Sequence, residues 1–153
     1  MSDDSIDRKR LIFPSLAGLY ETFPPYSYSF MRFAAGAVLL PHGIQKVLFK
    51  SIDMYAGFIG KAGLPVPTAM AYLTFFAESV GAACLMIGLF TRVSALIIWI
   101  EMTVIIWVFQ WQYGYYWTDK GIEYALLWWL LCLAIMFKGG GRCSVDRLLK
   151  KEF

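Results

Sequence analysis

Residues 68–90 read TAMAYLTFFAESVGAACLMIGLF, and residues 93–111 read VSALIIWIEMTVIIWVFQW. Each run has about the length of apolar helix needed to cross a ~30 Å hydrocarbon core. Each carries a single charge, Glu78 in the first and Glu101 in the second. Leu89-Phe90-Thr91-Arg92 leaves room only for a tight turn between them. Working outward, similar runs occur over about residues 28–49 and 121–137, so four spans are predicted. The expected fold is all-α and integral to a membrane: a four-transmembrane-helix bundle.

Composition agrees. Of the 153 residues, 59% are hydrophobic and mean hydropathy is +0.56, whereas soluble domains are roughly 45–50% apolar. Aromatic residues make up 18%, with six Trp and nine Tyr, suiting side chains that favour the bilayer interface. The net charge of +3 comes from basic residues gathered at the two ends. That pattern orients a membrane protein and argues against a nucleic-acid partner. No cleavable signal peptide is expected, because the first long apolar run begins only near Tyr28. Cys84, Cys132 and Cys143 form no C-x-x-C and no metal-ligand spacing.

Ahead of the first span, Ile12, Leu16, Leu19, Tyr20 and Phe23 recur at helical spacing and Pro14 suits a first turn. Residues 14–23 are therefore expected to form a short helix in the membrane interface, after which Pro24-Pro25 turns the chain. The expected organisation is 1–27 as a cytoplasmic interfacial segment, 28–138 as the bundle and 139–153 as a basic cytoplasmic tail. Gly139-Gly140-Gly141 ends the fourth helix. Arg8, Lys9, Arg10, Arg92, Lys138, Arg142, Arg147, Lys150 and Lys151 all fall on one side of a four-span chain. Both termini are then cytoplasmic, and Tyr113, Tyr115, Tyr116 and Trp117 form an outer aromatic belt.

The polar residues within these spans are the functional signal. They are Arg32, His42, Gln45, Lys46, Glu78, Glu101 and Glu123. A charge near the centre of a bilayer costs roughly 2.5–3.5 kcal/mol on insertion scales, so such groups must be paired, hydrated or used. Depth at about 1.5 Å per residue suggests two groups. Arg32, Glu78 and Glu101 are expected to meet in the inner half, and His42, Lys46 and Glu123 in the outer half. On the first helix Arg32, Gly36, Leu39, Gly43 and Lys46 lie within about 80° of one another, and small residues on that stripe admit a close partner. Glu78, Gly81, Ala82 and Leu85 share a face of the second helix, which places Glu78 toward the first.

Each of these residues also has a structural explanation. Arg32 with one acid can fix helix register, Lys46 can snorkel to the interface, and Glu123 can stabilise a helix start. A lone His42 is more often packed or hydrogen-bonded than a ligand. The number of charged groups together points beyond register to at least one polar pocket.

The chain resembles the DoxX family of small bacterial membrane proteins. The resemblance is carried by Arg32-Phe33-Ala34-Ala35-Gly36, by His42-Gly43-Ile44-Gln45-Lys46 and by Gly63-Leu64-Pro65. It continues with Ala77-Glu78-Ser79-Val80-Gly81, with residues 85–92, with Gly121-x-Glu123 and with Gly139-x-Gly141-x-x-Ser144-x-Asp146. It covers about residues 28–147 and implies a four-helix bundle in the bacterial inner membrane. Some members are linked with quinone-dependent sulfur oxidation, so the resemblance implies a membrane subunit of a quinone-linked oxidoreductase. Arg32, His42, Lys46, Glu78 and Glu123 are matched positions; Glu101 is not part of the pattern.

Under that implication quinone is the cofactor, since no haem pair, flavin motif or iron–sulfur cysteine set is visible. A quinone needs donors at its carbonyl oxygens and a route for two protons. His42, Glu78 and Glu123 are the candidate catalytic residues, and Arg32, Gln45, Lys46 and Glu101 the candidate ligand-binding ones. Trp107, Trp111, Trp128 and Trp129 can line the apolar part, although packing or lipid contact suits them as well. Two alternatives stand: a non-catalytic anchor or assembly subunit for a soluble redox partner, and a small-solute or proton transporter. The transporter needs a homo-oligomer, because four helices make a narrow bundle.

Overall fold

The computed structural model describes residues 8–151. It is helical, with no strand among those residues. A 3₁₀ turn over Pro14–Leu16 leads into α1, Ala17–Thr22, so the segment expected to be helical from its spacing is so. Arg8 donates to both carboxylate oxygens of Glu21 at 2.8 and 2.7 Å, tying the start of the chain to this exposed helix. Pro24, at the first position of α2, needs no intrahelical donor and presets the backbone. Helix α2 then runs Pro24–Leu48.

Helix α3 spans Ile52–Lys61, where the sequence reading places only a connection. Ser51 caps it, accepting from Met54 N at 3.2 Å. Helix α4 runs Pro67–Ile87 and α5 runs Thr91–Tyr113. Helix α6 spans Glu123–Lys138, and a short α7, Val145–Leu148, closes the tail. Of these, α4 and α5 are long and apolar enough to cross a bilayer. Helix α2 is long enough but carries Arg32, His42, Gln45 and Lys46, and the 16 residues of α6 span only ~24 Å.

Helix α2 packs on α4, α4 on α5 and α5 on α6, while α3 lies against α4. Leu39, Leu85, Ile98, Met102, Cys132 and Ile135 are core residues where the four long helices meet. The outward faces are apolar too: Phe30, Leu73, Ile100, Trp107, Leu127 and Phe137 are each at least half exposed. A soluble monomer rarely shows so much continuous apolar surface.

The α2–α4 contact is made by backbone. A Cβ placed on Gly43 would sit 2.6 Å from the carbonyl carbon of Glu78 and 2.7 Å from Ser79 N; one on Gly36 would strike Ala82 and Met86. Two turns apart on one stripe, these glycines let the helices touch along their length.

The end holding the start of α2, the α4–α5 turn and the end of α6 is locked by polar contacts. Arg32, 2% exposed, donates to the carbonyl oxygens of Leu85, Met86 and Cys143. Arg92 donates to Met136 O at 2.8 Å and Phe137 O at 3.0 Å. Both guanidiniums thus bond carbonyls in the last turn of a helix, those of α4 for Arg32 and of α6 for Arg92, where a cation is favoured. Asp146 accepts from Phe90 N, Thr91 N and Thr91 Oγ1 at 2.7, 2.9 and 2.6 Å.

Gly43→Val is expected to lower stability by at least about 1–3 kcal/mol, because the clash is with backbone that cannot rotate away. Gly57→Ala, inside α3 with nothing within 4 Å of the added carbon, is expected to raise it by up to about 1 kcal/mol. Thermal unfolding of both variants in detergent checks the pair.

Candidate functional site

Glu78 sits in a π-helical turn, Ala77–Gly81, inside α4. Such a turn adds a residue to the helical circuit and re-aims the side chains in it. It turns Glu78 toward α2, where the ammonium of Lys46 forms a salt bridge with its Oε2. Both side chains are buried, with exposures of 8% and 7%. Lys46 is near the end of α2, but helix side chains lean toward the N-terminus, which brings its ammonium back to the level of Glu78.

Glu101 of α5 completes the cluster. It is 9% exposed, and neither carboxylate oxygen has a hydrogen-bond partner. Tyr55 of α3 lies on the other side, its ring centre 5.0 Å from the Lys46 ammonium. Burial, and then the Glu78 carboxylate, raise the Tyr55 phenol above its ordinary range, so it remains a hydrogen-bond donor.

These four residues line one cleft of about 570 Å³ between α3, α4 and α5. The remaining walls are apolar, among them Phe58, Leu73, Phe76, Ile100 and Phe109. Phe58, Leu73, Phe76 and Ile100 are also exposed, so the cleft opens through the apolar flank of the molecule. The volume lies within the roughly 300–1,000 Å³ usual for small-molecule sites, as does the pattern of a few polar groups in apolar walls.

The groups expected from depth alone are rearranged. Glu78 pairs with Lys46 instead of Arg32, which lies ~21 Å along α2 from Lys46. The carbonyls ending α4 and those of the tail capture Arg32 before either acid can. His42 and Gln45 lie on the exposed face of α2, outside the cleft. Glu123 opens α6 and accepts from Trp117 N at 3.2 Å, so it orders the α5–α6 loop away from Lys46. The four tryptophans are also elsewhere. Trp107 and Trp111 stack on each other at 4.4 Å, Trp129 packs on Trp99 at 5.2 Å, and Trp128 is buried in the core.

Tyr55 and Phe58 are absent from the sequence reading because α3 is. The signal was present: Ser51 is a good N-cap residue, Asp53 follows in the first turn, and Ile52, Tyr55 and Ile59 share one face.

Lys46→Met is expected to destabilise the protein by about 3–5 kcal/mol, because it leaves a buried carboxylate unpaired. Adding Glu78→Met should recover most of that loss. Unfolding midpoints of the two single variants and the double variant, combined as a cycle, measure this coupling.

Comparison with known proteins is consistent across most of the chain. The DoxX family model matches residues 28–111, more than half of the sequence. An uncharacterized protein of Haemophilus influenzae is 33% identical over 86% of this chain and 97% of its own length. An uncharacterized membrane protein of Mycobacterium tuberculosis is 28% identical over 91% of each. No solved structure matches significantly.

Proposed function

The chain belongs to the DoxX family of membrane proteins, and from that premise we propose that it is a multi-pass subunit of a quinone-linked oxidoreductase. Its ligand site is the cleft of Lys46, Tyr55, Glu78 and Glu101, which takes a quinone or a similar small apolar molecule. In this reading α2 and α6 join α4 and α5 as spans. The end carrying Arg92, Lys138, Arg142, Arg147, Lys150 and Lys151 faces the cytoplasm of a bacterial inner membrane, following the excess of basic residues there.

The observation that carries the reading is Glu101: a buried carboxyl with two unpartnered oxygens in a cleft whose other walls are mostly apolar. Buried polar atoms are nearly always hydrogen-bonded, and an orphan costs about 1–3 kcal/mol. A ligand with a polar head and an apolar body relieves that cost. The cleft opens through the apolar flank, so such a molecule enters from lipid without crossing water.

A bound quinone supplies two-electron, two-proton chemistry between two carbonyl oxygens and two hydroxyls. The chain supplies the surroundings. The Lys46 ammonium and the Tyr55 hydroxyl donate to a carbonyl oxygen, orienting the ring. Glu78 and Glu101 would hold or release protons at their carboxylate oxygens for a quinone held in this cleft. Phe58, Phe76 and Phe109 exclude water, which strengthens each of these hydrogen bonds. In this reading any redox centre belongs to a partner protein or is the bound quinone itself.

Mass spectrometry of organic extracts from gently purified protein tests this. About one quinone per chain is expected, with roughly tenfold weaker retention in the near-isosteric Tyr55→Phe and Glu101→Gln variants, the loss of about one hydrogen bond. An extract without quinone, with no rise in melting temperature on adding one, would overturn the reading. Recovery instead of one stoichiometric soluble protein would favour an anchor subunit.

A further inference from the structure

A second cleft, of about 440 Å³, lies at the opposite end of the molecule's polar features, on the tail. Lys138, Arg142, Arg147, Lys150 and Lys151 line it, with Gly141 and Asp146. Asp146 makes no ion pair with them. It is 1% exposed, and both its oxygens are already bonded to the α4–α5 turn. None of the five cations makes an ion pair among the described residues. Lys138 has only the face of Tyr28, 5.9 Å from the ring centre.

The tail's backbone holds these cations together at a local cost. Lys150 follows α7 in the left-handed region, φ +52°, where a non-glycine residue is strained. Lys151 N donates to Asp146 O and Lys150 N to Arg147 O, both at 3.1 Å. This Schellman cap curls the two lysines back over the cleft. Gathering five like charges is unfavourable unless an anion compensates them.

The sequence neighbours of these cations distinguish among anions. Phe137, Leu148 and Leu149, at 72%, 81% and 52%, are among the exposed large apolar side chains, and each is next in sequence to a cleft cation. A soluble anion has no use for exposed apolar side chains. A phospholipid headgroup arrives with acyl chains that do.

We propose that this cleft binds the phosphate headgroup of an anionic phospholipid, seating the tail on the leaflet surface. The inference needs the chain to be in a membrane but does not depend on what occupies the Lys46–Glu78–Glu101 cleft. Its test reads neither quinone nor turnover.

Native mass spectrometry of the full chain in a neutral detergent, titrated with phosphatidylglycerol or with phosphatidylcholine of the same acyl chains, provides that test. Wild type is expected to bind phosphatidylglycerol at least about tenfold more tightly. In Arg142→Gln/Arg147→Gln/Lys150→Gln/Lys151→Gln the preference should fall to about twofold or less. Lys150→Gln/Lys151→Gln, which leaves α7 intact, should fall in between. Equal preference in wild type and both variants would overturn the proposal. So would inorganic phosphate displacing the lipid at equal concentration, which would make the cleft a site for a soluble anion.

Discussion

The backbone contact between α2 and α4 is the constraint on which the molecule's chemistry depends. Gly43 lies against the carbonyl of Glu78, and Gly36 against Ala82 and Met86. With the helices this close, the Lys46 side chain reaches Glu78 directly. Near the other end of the same interface, Arg32 reaches the last carbonyls of α4. Larger residues at either glycine would push the helices apart and leave both cations without their partners. In a low-dielectric interior that is far more costly than a lost surface pair.

The cleft exists because two further elements stop short of filling the space beside that contact. Helix α3 is tied to α4 and brings Tyr55 and Phe58, while α5 brings Glu101 and Ile100. The π turn in α4 adds the offset that directs Glu78 inward. Three acids and bases from three helices therefore share one volume, although neighbouring members of the set are 32 and 23 residues apart in sequence. Close packing on one side and incomplete packing on the other give a rigid wall with an accessible face.

Much of this was readable in the chain. Helices α4 and α5 follow from hydropathy alone, because a period of 3.6 and a run of about 20 apolar residues admit few other structures. The stripe of Gly36, Gly43, Arg32 and Lys46, and a Glu78 turned toward it, follow from angular spacing. The pairing of charges does not. Depth along a helix locates a Cα, but a lysine or arginine spans more than a turn and goes to whichever acceptor is least satisfied. For Arg32 these were backbone carbonyls, which carry no signature in a sequence. Helix α3 was hidden for a different reason: its ten residues are short enough to pass for a linker between Lys50 and the Gly63-Leu64-Pro65 break.

The tail contacts also order the steps by which the bundle closes. Asp146 and the Cys143 carbonyl close one end of the bundle by bonding to the α4–α5 turn and to Arg32. In synthesis from the N-terminus these residues follow all of the long helices. The buried guanidinium of Arg32 therefore lacks one of its three acceptors until the segment after α6 docks. The closed end of the bundle reports that this segment has arrived.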